Sequence, residues 1–469
     1  MGTVAGFLAT LTFARLLGAS GLGIYAIFVS VEMLAATAIS FGVYETVTQG
    51  VSAGDREAEY YTSGLLVILV GTGVATAVVV ALQAPINDLF TVDAALAVPF
   101  GVLSWGLFRV TAAFLEGTGR VALAGAVENT RFVIALPIQV GLYLAGYGVF
   151  ALIWGIVAAQ FLTFGVLYGY ARVVPSIPTW ASLRTFLGFS TYTYIKGLSS
   201  QLFKHADYVL LGAFLGTSVT GVYKVSFTLA ESSMLFSSAL RQVTFPEFAR
   251  LDAADAADRI RDLLGTLVTY AGLLSLPIAG GGALVGNLLV LTVYSIDAGV
   301  VDLPVLGTVG LANVLVPVLA VAALLNSYRT GLEGFFIGTN RPRIAATSGV
   351  VLAGVYAVLV VPAMRWFGST GLAAVTTVSF AVSVAVLFRA LDYPVPRQAR
   401  VDVARQAGAV AVMVVVVYGA QTVLPVGGTL ALAVYLTVGA VTYFAVLLAA
   451  SERIRADTRG LARQFAGRA

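Results

Sequence analysis

The sequence contains no cysteine and a single histidine, His205. Without cysteine, the chain can form neither a disulfide framework nor a thiolate metal site. One histidine excludes zinc sites built on two or three histidines and argues against a Ser-His-Asp hydrolase. We therefore expect no metal and no cofactor, and we interpret His205 as a packed or hydrogen-bonded side chain.

Charge is also scarce. Charged residues make up 11% of the 469 positions and apolar residues 59%, with a mean hydropathy of +0.94. Soluble domains carry about 25% charged residues. This composition excludes a soluble enzyme, a nucleic-acid binder and a disordered chain, and it indicates a protein that crosses the membrane many times. The net charge of +4 is not evidence for nucleic-acid binding.

Runs of about 20 apolar residues predict an all-α polytopic membrane protein with about 14 transmembrane helices, called spans 1 to 14 here. Their approximate ranges are 2–17, 22–48, 63–82, 95–115, 121–145, 147–170, 183–214, 219–247, 263–293, 307–334, 343–362, 371–391, 405–424 and 428–450. Pro277 and Gly280-Gly281-Gly282 predict a kink in span 9. The first stretch lacks the basic flank and cleavage site of a signal peptide, so we interpret it as a membrane helix.

Arginine is distributed unevenly between the loops. The loops after even-numbered spans and the C-terminal tail hold Arg56, Arg120, Arg172, Arg184, Arg250, Arg259, Arg261, Arg341, Arg343, Arg397, Arg400, Arg453, Arg455, Arg459, Arg463 and Arg468. The loops after odd-numbered spans hold Asp88, Asp93, Asp297 and Asp302, with Arg365 as their only basic residue. The positive-inside rule then predicts cytoplasmic N- and C-termini and a basic cytoplasmic tail over 451–469.

The chain also repeats itself. The segment from Gly18 to Tyr25 is matched 198 residues later by Gly216 to Tyr223. Two further matches follow in the same order: Phe108-Arg109 with Tyr328-Arg329, and Gly148 and Ala151 with Gly371 and Ala374. This order predicts a parallel repeat of two six-helix lobes, 1–171 and 183–391, joined by a cytoplasmic linker at 172–182. A second linker, 392–404, leads to two extra helices over 405–450.

Three groups of residues carry a family resemblance. They are Ala14-Arg15-Leu16-Leu17-Gly18 with Gly23-Ile24-Tyr25, Asp207 to Gly212 with Gly221-Val222-Tyr223, and Phe245-Pro246. Over about 5–450 the chain resembles the polysaccharide-transporter branch of the multidrug/oligosaccharidyl-lipid/polysaccharide exporter superfamily, although its start is shorter than the family's cytoplasmic lead-in. The resemblance implies a V-shaped pair of six-helix lobes around a central cavity. It also implies a flippase that moves polyprenyl-linked sugars or oligosaccharides from the cytoplasmic to the outer leaflet by alternating access, for cell-surface polysaccharide or glycan assembly.

Several charged residues fall inside the predicted spans. A charge at the bilayer centre costs about 2.5–3.5 kcal/mol on insertion scales, so each needs a partner, a cavity or water. Our candidates for binding the anionic head of a lipid-linked sugar are Lys196, Lys204, Lys224, Arg109, Arg131 and Arg329. Our candidates for resting counter-ions or coupling groups are Asp207, Glu231, Glu32 and Glu128. All three lysines of the chain lie on spans 7 and 8, and lysine is a flexible point charge that can release a ligand.

A purely structural interpretation of these charges stays open. Asp207 could pair with Lys224 across the short connection between spans 7 and 8, and Lys204 could pair with Glu231. Glu128 and Arg131 stand at i and i+3 on one helix and could satisfy each other.

Two other functions compete with the flippase. The first is a cation-coupled multidrug exporter of the same superfamily. The second is a membrane glycosyltransferase, polymerase or ligase. The longest outer loops, 83–94 and 294–306, hold four aspartates and no arginine, so we expect no enzyme.

Partners and location follow from the flippase interpretation. We expect a monomer whose partners are a lipid-linked sugar or oligosaccharide, membrane lipids, and H+ or Na+ as coupling ion. The preference for arginine over lysine and the richness in Ala, Val and Gly favour a prokaryotic plasma membrane.

Overall fold

The computed structural model describes the chain except residues 1, 41, 55, 181–182, 185, 187–204, 255, 304–306, 424–427 and 457–469. The first seven helices are α1 Gly2–Ser40, α2 Val43–Ser52, α3 Glu57–Ala81, α4 Gln83–Phe90, α5 Ala97–Gly117, α6 Val121–Leu142 and α7 Phe150–Ala171. A π-helical turn, Tyr143–Tyr147, follows α6.

The remaining helices are α8 His205–Leu215, α9 Thr217–Glu231, α10 Met234–Ala253, α11 Ala257–Tyr294, α12 Leu311–Gly338, α13 Pro342–Arg389, α14 Arg397–Val423 and α15 Thr429–Ala450. Between α11 and α12 lies an antiparallel hairpin of β1 Val300–Leu303 and β2 Gly307–Gly310, with Val301 opposite Val309. The prediction of an all-α polytopic architecture is confirmed. The hairpin places β1 in the predicted outer loop 294–306 and β2 in the first residues of predicted span 10.

Ten helices within the described residues are long and apolar enough to cross a membrane. Their outward faces carry large apolar side chains: Val70, Val74 and Val78 on α3 stand four residues apart and are each at least half exposed. Such a stripe would be unfavourable in water but fits lipid, where helices satisfy their own backbone hydrogen bonds. The chain is a multi-pass membrane protein, and the count of 14 spans stays a prediction.

Glycines with positive φ join several predicted spans. Spans 1 and 2 meet inside α1 at Gly18, and spans 11 and 12 meet inside α13 at Gly368, where the helical φ/ψ is interrupted. Gly148, between α6 and α7, has φ 55° and ψ −130°, and Gly368 has φ 58° and ψ −136°. Only glycine adopts this conformation readily. The shared geometry lies at Gly368, three residues before the Gly371 that the sequence match paired with Gly148.

Two predicted spans are broken into shorter helices. Span 2 ends at Ser40, and α2 starts after Gly42, whose φ is 72°. Span 8 divides between α9 and α10 at Ser232 and Ser233. The hydroxyls of these two serines donate to the carbonyl oxygens of Leu229 and Ala230. Serine competes with the helix backbone in this way, which a hydropathy average does not register.

The chain divides into two compact units, residues 1–224 (unit 1) and 225–469 (unit 2). Unit 1 has a core that includes Ile27, Phe28 and Val98, and unit 2 has one that includes Phe248 and Phe336. The division falls inside α9, so the predicted lobe boundaries stay predictions.

In unit 2, α14 and α15 pack on α11, and polar side chains reach its carbonyl oxygens. α11 runs through Pro277 as one helix. Because proline has no N–H, the carbonyl of Leu273 loses its usual helical donor. The hydroxyl of Tyr443 on α15 donates to that oxygen at 3.0 Å. Gln406 on α14 donates to the Thr269 carbonyl at 2.7 Å.

Candidate functional site

A chain of hydrogen bonds in unit 1 ends on Glu32, which lies on α1 and is fully buried. The Gln160 amide on α7 donates to Glu32 Oε1 at 2.9 Å, and the Ser104 hydroxyl on α5 donates to Gln160 Oε1 at 2.5 Å. The bond from Ser104 therefore holds the Gln160 amide with its NH2 group towards the carboxylate. Glu32 Oε2 has no hydrogen-bond partner within the described part of the chain.

Arg131 on α6 is 8% exposed and lies between aromatic rings. Its guanidinium carbon is 4.5 Å from the centre of the Trp105 ring and 4.6 Å from that of Phe132. Nε and Nη1 have no hydrogen-bond partner among the described residues. Cation–π contacts of a desolvated guanidinium are worth about 2 kcal/mol, which offsets only part of the cost of burying it. The rings hold the charge in place while the nitrogen atoms Nε and Nη1 keep their capacity to bind an acceptor.

Glu32 and Arg131 lie close together. Tyr25 on α1 lies beside Gln139 on α6. About two turns away, towards the C-terminal end of α1 and the N-terminal end of α6, Glu32 interacts electrostatically with Arg131. Their common neighbour is α5. A Cβ at Gly101 would lie 2.9 Å from Glu32 Cδ, and Trp105 covers Arg131 four residues later, which is about 6 Å along the helix. Even so, the ion pairs between described residues do not join Glu32 to Arg131.

Arg109 on α5 is the partner of Glu128. Its Nη1 lies 3.5 Å from Glu128 Oε2 on α6 and 3.7 Å from Glu116 Oε1 on its own helix. The carboxylate of Glu128 thus contacts Arg109 of the neighbouring helix, and it also interacts electrostatically with Arg131. Sequence reasoning missed Glu116, although its position seven residues after Arg109 puts both on one helix face.

The second cluster of unit 1 lies on α8 and α9. The Tyr223 hydroxyl donates to Asp207 Oδ2 at 2.7 Å, and Lys224 Nζ lies 5.5 Å from the centre of the Tyr208 ring. Tyr223 is thus one partner of the Asp207 carboxylate, and the pairing of Asp207 with Lys224 stays a prediction. His205 Nδ1 lies 3.3 Å from Ser30 Oγ, as expected of a packed, hydrogen-bonded histidine. Two candidate cations, Lys196 and Lys204, lie outside the described residues.

In unit 2, Arg329 on α12 donates hydrogen bonds to two side chains of its own helix. It donates through Nη1 to Glu333 Oε1 at 2.6 Å and through Nε and Nη2 to Asn326 Oδ1. Ser348 also donates to Glu333 Oε1 at 3.1 Å. Glu333 was not among the candidates, although its i, i+4 spacing from Arg329 is a pairing signal. Glu231, which the predicted repeat places near the position of Glu32, is exposed at the end of α9, so the two carboxylates have different surroundings.

The two copies of the repeated glycine motif contact each other within unit 1. A Cβ at Gly23 would overlap the carbonyl oxygen of Thr217, and a Cβ at Gly221 would overlap that of Ala19. Gly23 and Gly221 are 198 residues apart, as are Ala19 and Thr217. The hydroxyls of Ser20 and Thr217 lie 2.9 Å apart beside them. The contact is therefore reciprocal, and each copy contributes one glycine and one carbonyl.

No three histidine, aspartate or glutamate side chains converge as a metal site would require in the part of the chain that the structure describes. The chemistry available in unit 1 is instead that of a buried guanidinium and a buried carboxylate, both with unused hydrogen-bonding capacity.

Comparison with known proteins places this arrangement in a family. The family model described as "Polysaccharide biosynthesis protein" matches residues 12–297, which is more than half of the chain. Two relatives from Haloferax volcanii are similar over most of their length. "Probable flippase AglR" is 25% identical over 362 residues, covering 77% of this chain and 74% of the relative. "Probable low-salt glycan biosynthesis flippase Agl15" is 23% identical over 379 residues, covering 80% and 78%.

Solved structures share the fold. The lipid II flippase MurJ in an inward closed conformation has a TM-score of 0.72 at 14% identity, covering 95% of this chain and 96% of that one. An inward-facing multidrug resistance MATE family transporter of the MOP superfamily has a TM-score of 0.58 at 14% identity, covering 83% and 93%. With the family match over 12–297, the chain belongs to the family described as "Polysaccharide biosynthesis protein".

Proposed function

We propose that this protein is a flippase that moves a polyprenyl-linked sugar or oligosaccharide from the cytoplasmic to the outer leaflet of a prokaryotic plasma membrane. Family membership and the names of the two Haloferax relatives support this function. The observation in the structure that carries it is Arg131, a guanidinium buried among membrane helices with two unpartnered nitrogen atoms. A charge kept in lipid at this cost is typical of a substrate pathway.

The candidate cations have unequal claims to the substrate. Arg109 and Arg329 already contact carboxylates, so an anionic substrate would have to displace Glu128 or Glu333. Arg131 has no such competitor in hydrogen-bonding contact, which makes it the first choice for the phosphate or acidic sugar of the substrate. Lys196, near the middle of the membrane, and Lys204 and Lys224, nearer the outer side, stay candidates for the same role, with Asp207 and Glu231 as counter-ions.

The proposed mode of transport is alternating access. The proposed architecture for it is two six-helix lobes in parallel repeat around a central cavity, with both termini in the cytoplasm. The reciprocal contact of Gly23 and Gly221 supports the repeat, since it joins equivalent residues of the two motif copies. H+ or Na+ is the proposed coupling ion, and the monomer is the proposed functional state.

Transport by purified protein in liposomes tests the function. The substrate is a fluorescent polyprenyl-diphosphate sugar, and a lectin added outside detects molecules that have crossed. Arg131→Gln should lower the flipping rate at subsaturating substrate at least about tenfold, because a charge-assisted hydrogen bond contributes about 1.5–3 kcal/mol. Arg365→Gln, at an exposed position of α13, is the matched control and should flip at the rate of the unmodified protein.

Three results would contradict the proposal. One is unchanged flipping by the Arg131→Gln variant. Another is export of cationic dyes driven by an ion gradient without any sugar-lipid flipping, which would favour the multidrug exporter. The third is chemical conversion of the sugar-lipid, which would favour an enzyme.

A further inference from the structure

Glu32 and Arg131 are opposite charges that are both buried, both incompletely hydrogen-bonded and not paired with each other. A buried ionised carboxylate with one donor is costly, and so is a buried guanidinium supported mainly by rings. A direct ion pair would relieve both costs. About one helical turn of α5 separates the residues that cover them, Gly101 and Trp105, a distance that an arginine side chain can span by changing rotamers.

The surroundings hold the two groups apart in this structure. Trp105 and Phe132 clamp the guanidinium, while Ser104 and Gln160 form a fixed relay that supplies one donor to Glu32. Glu32 Oε2 lacks a donor, which suits a carboxyl group that carries its proton on that oxygen. Arg131 Nε and Nη1 lack acceptors, which suits a guanidinium ready for an oxyanion.

We propose that Glu32 is an internal competitor for Arg131, so that binding of an oxyanion to Arg131 is linked to uptake of one proton by Glu32. In one arrangement Arg131 pairs with ionised Glu32. In the other, Arg131 binds the oxyanion and Glu32 is neutral, and the separated side chains of this structure match that arrangement. This inference rests on the proposed function, in which the oxyanion is a phosphate or acidic sugar of the lipid-linked substrate.

Other charged or titratable groups near the pair have separate roles. Tyr25 lies on α1 itself, and Glu128 and Arg109 interact electrostatically with Arg131 but contact each other. His205 on α8 contacts Ser30, two residues from Glu32. Gly101 of α5 and Gln160 of α7 lie against Glu32, and neither titrates. His205 is therefore the group whose titration must be separated from that of Glu32.

Trp105 provides a direct reporter because its ring contacts the Arg131 guanidinium. The chain has four tryptophans, and the other three, Trp154, Trp180 and Trp366, are exposed. Replacing those three with phenylalanine leaves Trp105 as the sole emitter. Sulfate is the probe, since its charge is constant between pH 5 and 8, and chloride at equal ionic strength is the reference.

Sulfate should change the Trp105 emission of the detergent-purified reporter protein. Its apparent affinity should rise by up to tenfold for each unit that the pH falls, because one proton is linked to binding. Glu32→Gln, which keeps an oxygen for the Gln160 donor, should bind sulfate at every pH as tightly as the parent does at low pH. His205→Gln should keep the pH dependence, and Arg131→Gln should lose the sulfate response.

The proposal is overturned if the parent and Glu32→Gln show the same pH dependence, if the pH dependence disappears with His205→Gln instead, or if Arg131→Gln still responds. The assay measures binding alone. A protein that binds sulfate as described but fails to flip sugar-lipid would disprove the proposed function, whereas flipping without linked proton uptake would disprove only this inference.

Discussion

At the scale of single residues, two carboxylates of unit 1 find hydrogen-bond partners on neighbouring helices. Glu128 is held by Arg109 of α5, and Glu32 by Gln160 of α7. Spacing along one helix cannot reveal such partners, because it reports only which residues share a face of that helix. The sequence therefore predicted that Glu32 and Arg131 are buried functional candidates, but not the relay through Ser104 and Gln160 or the aromatic clamp.

The relay leads to a test of stability. Gln160→Leu should lower the free energy of unfolding by about 1–3 kcal/mol, since it leaves the Glu32 carboxylate without its donor. The double variant with Glu32→Leu should recover most of that loss because neither partner is then left unsatisfied. Thermal unfolding in detergent measures both. Equal stabilities of the single and double variants would contradict the role of the hydrogen bond.

At the scale of helices and strands, apolar runs located most elements to within a few residues, as for α5, α7 and α15. Hydropathy did not predict the breaks at Gly42 and at Ser232–Ser233, because an average over about 20 residues hides a local change in hydrogen bonding. The proline of α11 illustrates a related limit, because hydropathy does not show what replaces the hydrogen bond that proline removes; the kink itself stays a prediction. The helical backbone continues through Pro277, and the lost hydrogen bond is replaced by Tyr443 from another helix.

That replacement predicts a double-mutant cycle. Tyr443→Phe should destabilise the protein by about 0.6–1 kcal/mol, the typical value of an interhelical hydrogen bond in a membrane. In a Pro277→Ala background the same change should cost almost nothing, because the N–H of residue 277 can then reach the Leu273 carbonyl. Denaturation curves of the four proteins give the coupling energy, and a coupling near zero would refute the replacement.

At the scale of the whole molecule, three sequence matches in order predict the repeat, and the structure adds a reciprocal contact between the two segments of the first match. This contact could not be predicted from the sequence, because a sequence match does not show whether its two segments touch. In the third match, the sequence pairs Gly148 with Gly371, whereas the residue that shares the φ/ψ values of Gly148 is Gly368.

Alternating access requires the reciprocal contact to open. Cysteines placed at Ser20 and Thr217, whose hydroxyls are 2.9 Å apart, should form a disulfide in this cysteine-free chain and stop sugar-lipid flipping until a reductant is added. Ser233 and Ser275 have the same 2.9 Å separation inside unit 2, and their cysteine pair is the matched control that should keep transport. Full transport with the Ser20–Thr217 crosslink intact would show that the contact stays closed throughout the cycle.

The same reciprocal contact has the form of a two-fold interface. Each copy of the motif offers a glycine surface and a carbonyl that fit the other copy, so the motif is complementary to itself. Surfaces of this kind are those through which identical subunits form closed dimers. A half-length chain with one copy of the motif would therefore already possess a dimer interface, and fusion of two such chains would preserve it unchanged inside a single polypeptide.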